Sequence, residues 1–158
     1  MPAGYVDKAK YLGVFIETKG NKADCNRQLR CIYKNANMLL TRFRKCSYGV
    51  KVNLFTTFCT TFYCPQFWYT STKSCLYNLK VAYNNSLHSL LGIRFYNSAS
   101  DMFASLHVPS FYEILRKTIN GFNDRLSTSE NKIVIASHNL SITVFSPINR
   151  WWREMVLV

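Results

Sequence analysis

Catalysis on phosphates with two metal ions needs carboxylates gathered tightly enough to hold both cations about 4 Å apart. The aspartates here are Asp7, Asp24, Asp101 and Asp124, no two of them adjacent. Asp7 and Glu17 bracket an apolar stretch and would lie roughly 30 Å apart if that stretch were one extended strand. The six cysteines (25, 31, 46, 59, 64 and 75) could ligate zinc only as closely spaced pairs. Cys59 and Cys64 are the one pair in range, Cys25 and Cys31 fall just outside, and His88, His107 and His138 stand alone. No Gly-x-Ser-x-Gly elbow, glycine-rich phosphate loop or His-Glu-x-x-His element is present. The sequence therefore predicts no catalytic residues, no metal ligands and no cofactor.

The other chemistry available is charge. Twenty Lys and Arg against eight Asp and Glu give a formal net charge of +12 over 158 residues. Such an excess favours polyanionic partners, above all nucleic acid. Residues 19 to 51 hold nine basic residues and a single acid, Asp24. A merely solvated helix face carries compensating glutamates, and these are missing. Arg27, Arg30, Lys34, Arg42, Arg44 and Lys45 are the candidate phosphate-binding cations, since affinity for nucleic acid comes largely from neutralising phosphates and releasing counterions. Lys10, Tyr11 and Gly13 join them, with Tyr11 as the ring placed to meet a nucleic-acid end and Gly13 as a point where a backbone or ligand can come close.

Residues 9 to 17 alternate as a strand, with Leu12, Val14 and Ile16 on one face and Tyr11 and Phe15 on the other. Lys19-Gly20-Asn21 signals a turn. From Asp24 to Cys46 the spacing becomes helical, with Leu29, Ile32, Ala36, Leu40 and Phe43 as the core stripe and Asp24 near the favourable amino end. A second helix is predicted from Val50 to Tyr63, with Leu54, Phe58 and Phe62 in one row and Phe55 and Cys59 beside it, stopped by Pro65. Phe67, Trp68 and Tyr69 follow as an aromatic plug between helices.

A third helix is predicted over Thr72 to Leu91, with Leu76, Leu79, Tyr83, Leu87 and Leu90 inward and Gly92 as its stop. After the polar loop Asn97 to Ser100 comes a helical turn over Asp101 to His107. Ser110 and Glu113 then form a capping box that opens a helix to Leu126. The domain plan is a strand region over 1–20, a helical domain over 21–127 and a tail over 128–158, in which Trp151 and Trp152 should pack. The fold class expected is mainly α, with one short amino-terminal strand or hairpin. That strand, apolar on both faces and without a sheet, should be poorly anchored and prone to edge pairing. No apolar run reaches the roughly 20 residues of a membrane span, and no signal peptide is recognisable, so a cytosolic or nuclear protein with reduced cysteines is expected.

Taken in order, Lys10-Tyr11-Leu12-Gly13-Val14, the basic helix to Cys46, the run from Leu54 to Pro65-Gln66-Phe67-Trp68-Tyr69, and the helix closing on Leu90-Leu91-Gly92-Ile93-Arg94 resemble the non-LTR (LINE-type) reverse transcriptases. The resemblance covers residues 10 to about 126, from the end of the palm through the thumb. It implies a thumb-like helical bundle, with Tyr11, Leu12 and Gly13 on the strand that supports the primer end. The first-helix cations would then face template and primer. The family's Tyr/Phe-Ala-Asp-Asp turn, its upstream aspartate, its magnesium site and its endonuclease residues have no counterpart here. The expectation is a non-catalytic transposable-element fragment that binds RNA–DNA hybrid or duplex. The alternative is a remnant that associates with an intact polymerase or with a second copy of itself.

Overall fold

A computed structural model describes residues 7–18, 20, 22–93 and 98–136. The fold is mainly α, with one two-stranded antiparallel hairpin at its amino end. Strand β1 (Lys8–Tyr11) pairs with β2 (Val14–Glu17), Tyr11 opposite Val14 and Lys8 opposite Glu17. Helices α1 (Lys22–Arg42), α2 (Tyr48–Cys59), α3 (Lys73–Leu91), α4 (Ala99–Ser105) and α5 (Phe111–Ser127) follow, with a 3₁₀ helix, Pro65–Thr70, between α2 and α3. Residues 132–136 add one more helical turn.

The predicted single strand is thus two strands. Its break is the pair Leu12 and Gly13, with φ of 45° and 84°. Two central residues at positive φ match the twist of a tight hairpin. Leucine in that conformation costs about 1 kcal/mol and is no turn signal, which is why the reversal is hard to see in sequence. The turn also reassigns the faces: Tyr11 shares a side with Val14 and Ile16, while Phe15 lies with Lys8 and Lys10. Asp7 and Glu17 meet at the open end of the hairpin, where the Thr18 N–H donates to the Asp7 carbonyl at 3.2 Å, rather than some 30 Å apart.

The core lies between α1, α2, α3 and α5, with α1 packed along α3 and α5 against the 3₁₀ helix and α3. Its centre is aromatic. The Tyr83 ring stacks on Phe103 with centroids 5.3 Å apart and also meets Phe55, Phe62 and Phe111. The Tyr83 hydroxyl donates to the Pro109 carbonyl at 2.8 Å, satisfying the one polar atom of an otherwise apolar cluster.

The third helix follows its prediction closely. Thr72 caps it, Leu76, Leu79, Tyr83, Leu87 and Leu90 are buried, and Gly92 ends it at φ 68°. Both halves of the Ser110–Glu113 capping box form. Elsewhere the faces are rotated from expectation. In α1 the buried line is Cys25, Gln28, Ile32, Ala36 and Leu39, with Leu29, Leu40 and Phe43 at its margins. In α2 the buried residues are Phe55 and Cys59, while Phe58 is exposed. That helix ends at Cys59, well before Pro65, which instead opens the 3₁₀ helix. Trp68 is the plug, fully buried, while Phe67 is exposed. Helix α4 already begins at Ala99, inside the predicted loop. Asn97, the tail beyond residue 136 and its Trp151-Trp152 lie outside the described residues.

Candidate nucleic-acid interface

Asp24 organises the amino end of the molecule. It sits in the first turn of α1, as its position predicts, yet it is completely buried. A buried carboxylate must be paired and fully hydrogen-bonded, and this one is. Arg27 donates from Nε to Oδ1 at 2.7 Å and from Nη2 to Oδ2 at 3.2 Å. The Trp68 indole N–H donates to Oδ2 at 2.8 Å, and the Phe15 backbone N–H to Oδ1 at 3.3 Å. One side chain thereby joins α1, the 3₁₀ helix and β2.

The hairpin is consequently anchored, contrary to expectation. Val14 is buried, Glu17 accepts from the Ala23 N–H at 3.0 Å, and the Tyr63 hydroxyl donates to the Leu12 carbonyl at 3.0 Å. Glu17 thus satisfies one of the backbone donors left open at the start of α1. The expectation failed because it treated residues 9 to 17 as one strand with nothing to pair with. Gly13 is also reassigned: a Cβ there would meet Tyr63 Cε1 at an ordinary 3.8 Å, so the glycine serves the positive φ rather than a close approach.

Around this node the structure gathers part of the predicted set. Lys10 and Tyr11 are exposed on the hairpin, Tyr11 near its tip. Arg30 and Lys34 are exposed one turn apart on α1. Arg27 is different, being committed to Asp24 in the sole salt bridge among the described residues. The bond to Asp24 pushes its pKa further up, and its guanidinium stands 5.9 Å from the Tyr63 ring. Its charge is largely spent inside the protein. Arg42, Arg44 and Lys45 are exposed at the far end of α1, about 20 Å from Arg27 by helical rise. The predicted cations therefore form two separate patches, since none lies between Lys34 and Arg42.

Two cations of the amino patch have no place in the predicted set, Lys8 and Lys22. Lys8, Phe15 and Glu17 on the hairpin and Lys22, Arg27 and Arg30 on α1 line a groove of about 470 Å³. The Lys8 ammonium stands over the Phe15 ring at 4.3 Å, and Lys10 at 5.8 Å. Cation–π attraction of this kind holds both lysines on the groove side of the hairpin. Strand alternation of Lys8 and Lys10 was a usable signal, but only once the hairpin supplied the opposite wall.

Cys25 and Cys59 are buried, and burial pushes both thiols up to about 12. The other four cysteines are half-buried, and all six are free. Among the described residues no three His, Cys, Asp or Glu side chains gather as a metal-holding group, and no helix is long and apolar enough to cross a membrane. Comparison with protein-family models, with curated proteins and with solved structures yields no match.

Proposed function

We propose that this chain is a non-catalytic piece of a LINE-type reverse transcriptase that holds RNA–DNA hybrid or duplex by its phosphates. The observation that carries the reading is the exposed arc of Lys8, Lys10, Lys22, Arg30 and Lys34, which outnumbers the acids beside it, Asp7 at the hairpin's open end and Glu17, already engaged in capping α1. An arc of cations on a rigid helix and its anchored hairpin suits phosphate backbones and reads no base sequence. The buried carboxylate, Asp24, is occupied in joining three elements, so the residues at hand supply grip rather than phosphoryl chemistry.

The test is binding of a labelled RNA–DNA hybrid at several salt concentrations. Affinity should fall steeply with salt, and reversing Arg30 and Lys34 to glutamate should flatten the log–log slope by about 2. Arg27 is unsuited to this test, because its reversal would put a second carboxylate against buried Asp24. Binding unaffected by those reversals would exclude the reading.

One observation favours association with a second copy or an intact polymerase instead. Strand β1 is exposed along its whole length and its outer edge is unpaired among the described residues, beside exposed Tyr11 and Leu12. Lys8 and Lys10 on that edge oppose it, because like charges disfavour edge-to-edge pairing. Salt-insensitive association would be its signature.

A further inference from the structure

We propose that the groove between the hairpin and the first turns of α1 is a site for a terminal phosphate group, a phosphomonoester or polyphosphate. Its carrier is the end of a nucleic-acid strand or a free nucleotide. The inference deepens the nucleic-acid reading and rests on it for the strand as carrier.

Charge density sets this groove apart. Lys8, Lys22 and Arg30 converge on about 470 Å³ from two walls, beside Arg27, whose charge Asp24 balances, and the acid lining it, Glu17, accepts from the Ala23 N–H. A concave site with an excess of one sign of charge on low-dielectric walls focuses the potential within it. A backbone diester brings one charge per phosphate, spaced along the strand, and would leave most of these cations unmatched. A terminal phosphate brings about two charges at neutral pH on three oxygens, and a polyphosphate more.

Two of the donors are also pre-set. Arg27 is fixed by Asp24, which leaves its Nη1 free of that carboxylate, and Lys8 is held over Phe15. Asn26 adds an amide to the same wall. Little ordering is therefore required when a ligand enters. Two other hollows differ. The one at the far end of α1, about 380 Å³, has only Arg44 and Lys51 over Leu40, Leu90 and Leu91, and the one beside Tyr48 and Asp101 has no cation.

The experiment compares the full chain binding one single-stranded oligonucleotide with a 5′-phosphate or with a 5′-hydroxyl, and then binding adenosine triphosphate. The 5′-phosphate should tighten binding about tenfold, the scale of one well-made charge-assisted contact. That increment should vanish in Lys22→Ala and Arg30→Ala, both exposed positions, persist in Arg42→Ala and Lys45→Ala, and shrink below about pH 6 as the phosphate takes its second proton. Equal affinity for the two oligonucleotides would overturn the site while leaving the grip on strands intact. Triphosphate binding lost in the same two variants, without strand binding, would keep the site, with the free nucleotide as carrier, and remove the grip. A folded protein that binds none of the three overturns both.

Discussion

The two ends of α1 carry similar cations and do different things with them. At the amino end the side chains stand in a groove whose second wall is the hairpin, and Asp24 beneath them ties helix, hairpin and Trp68 together. At the carboxyl end Arg42, Arg44 and Lys45 project from the last turn and the bend that follows, over a smaller hollow with an apolar floor. Charge count alone does not separate these patches. The separation comes from one buried carboxylate, which converts a run of basic residues into a shaped surface at one end only.

Removing that carboxylate is the strongest way to break the contrast. Asp24→Asn leaves Arg27 without its counter-charge and should destabilise the protein by about 3–5 kcal/mol in urea unfolding. Hydrogen exchange should rise first in the hairpin. A loss below about 1 kcal/mol would show that the node does not hold the amino end together.

The next effect is a pH dependence. Burial raises the Cys25 thiol, next to Asp24 on α1, and the Cys59 thiol from 9.0 to about 12, and it raises the Tyr83 hydroxyl as well. The unfolded chain gives up these protons at lower pH than the folded one. Their contribution is therefore complete below about pH 9 and is lost as pH rises towards 12. Unfolding midpoints should fall across that range, and less steeply in Cys25→Ala when each variant is compared with its own value at pH 7. Equal slopes would mean that the Cys25 thiol does not report on folding.

The smallest effect is expected at the hairpin itself. Tyr63→Phe removes the hydrogen bond to the Leu12 carbonyl, an exposed contact, and should cost about 0.5–1.5 kcal/mol. It should weaken the 5′-phosphate increment at the groove and leave the Arg42 patch untouched. An unchanged increment would mean that the hairpin wall is held without Tyr63.

The third and fifth helices were legible because their signals are local. Thr72, Gly92, Ser110 and Glu113 act within one turn of themselves, and the apolar spacing from Leu76 to Leu90 needs no partner to be read. The hairpin was only half legible: its apolar residues announced extended structure, but a leucine at positive φ concealed the turn. In α1 and α2 the period was right and the face was rotated by about one residue. The neighbours on α3 and the 3₁₀ helix, not the stripe itself, choose which side is buried.

Composition and periodicity by themselves determined a basic, mainly helical chain with its cations on exposed helix surface, because charge and helical period are properties of neighbouring residues. Tertiary structure decided that Arg27 is a structural partner, that Lys8 and Lys22 join Arg30, and that Arg42, Arg44 and Lys45 stand apart. Those outcomes depend on Asp24 meeting Trp68, 44 positions away, and on the hairpin folding back onto α1. Spacing along a chain cannot encode such meetings. They arise because a buried carboxylate must find every hydrogen bond it needs, wherever in the sequence the donors lie.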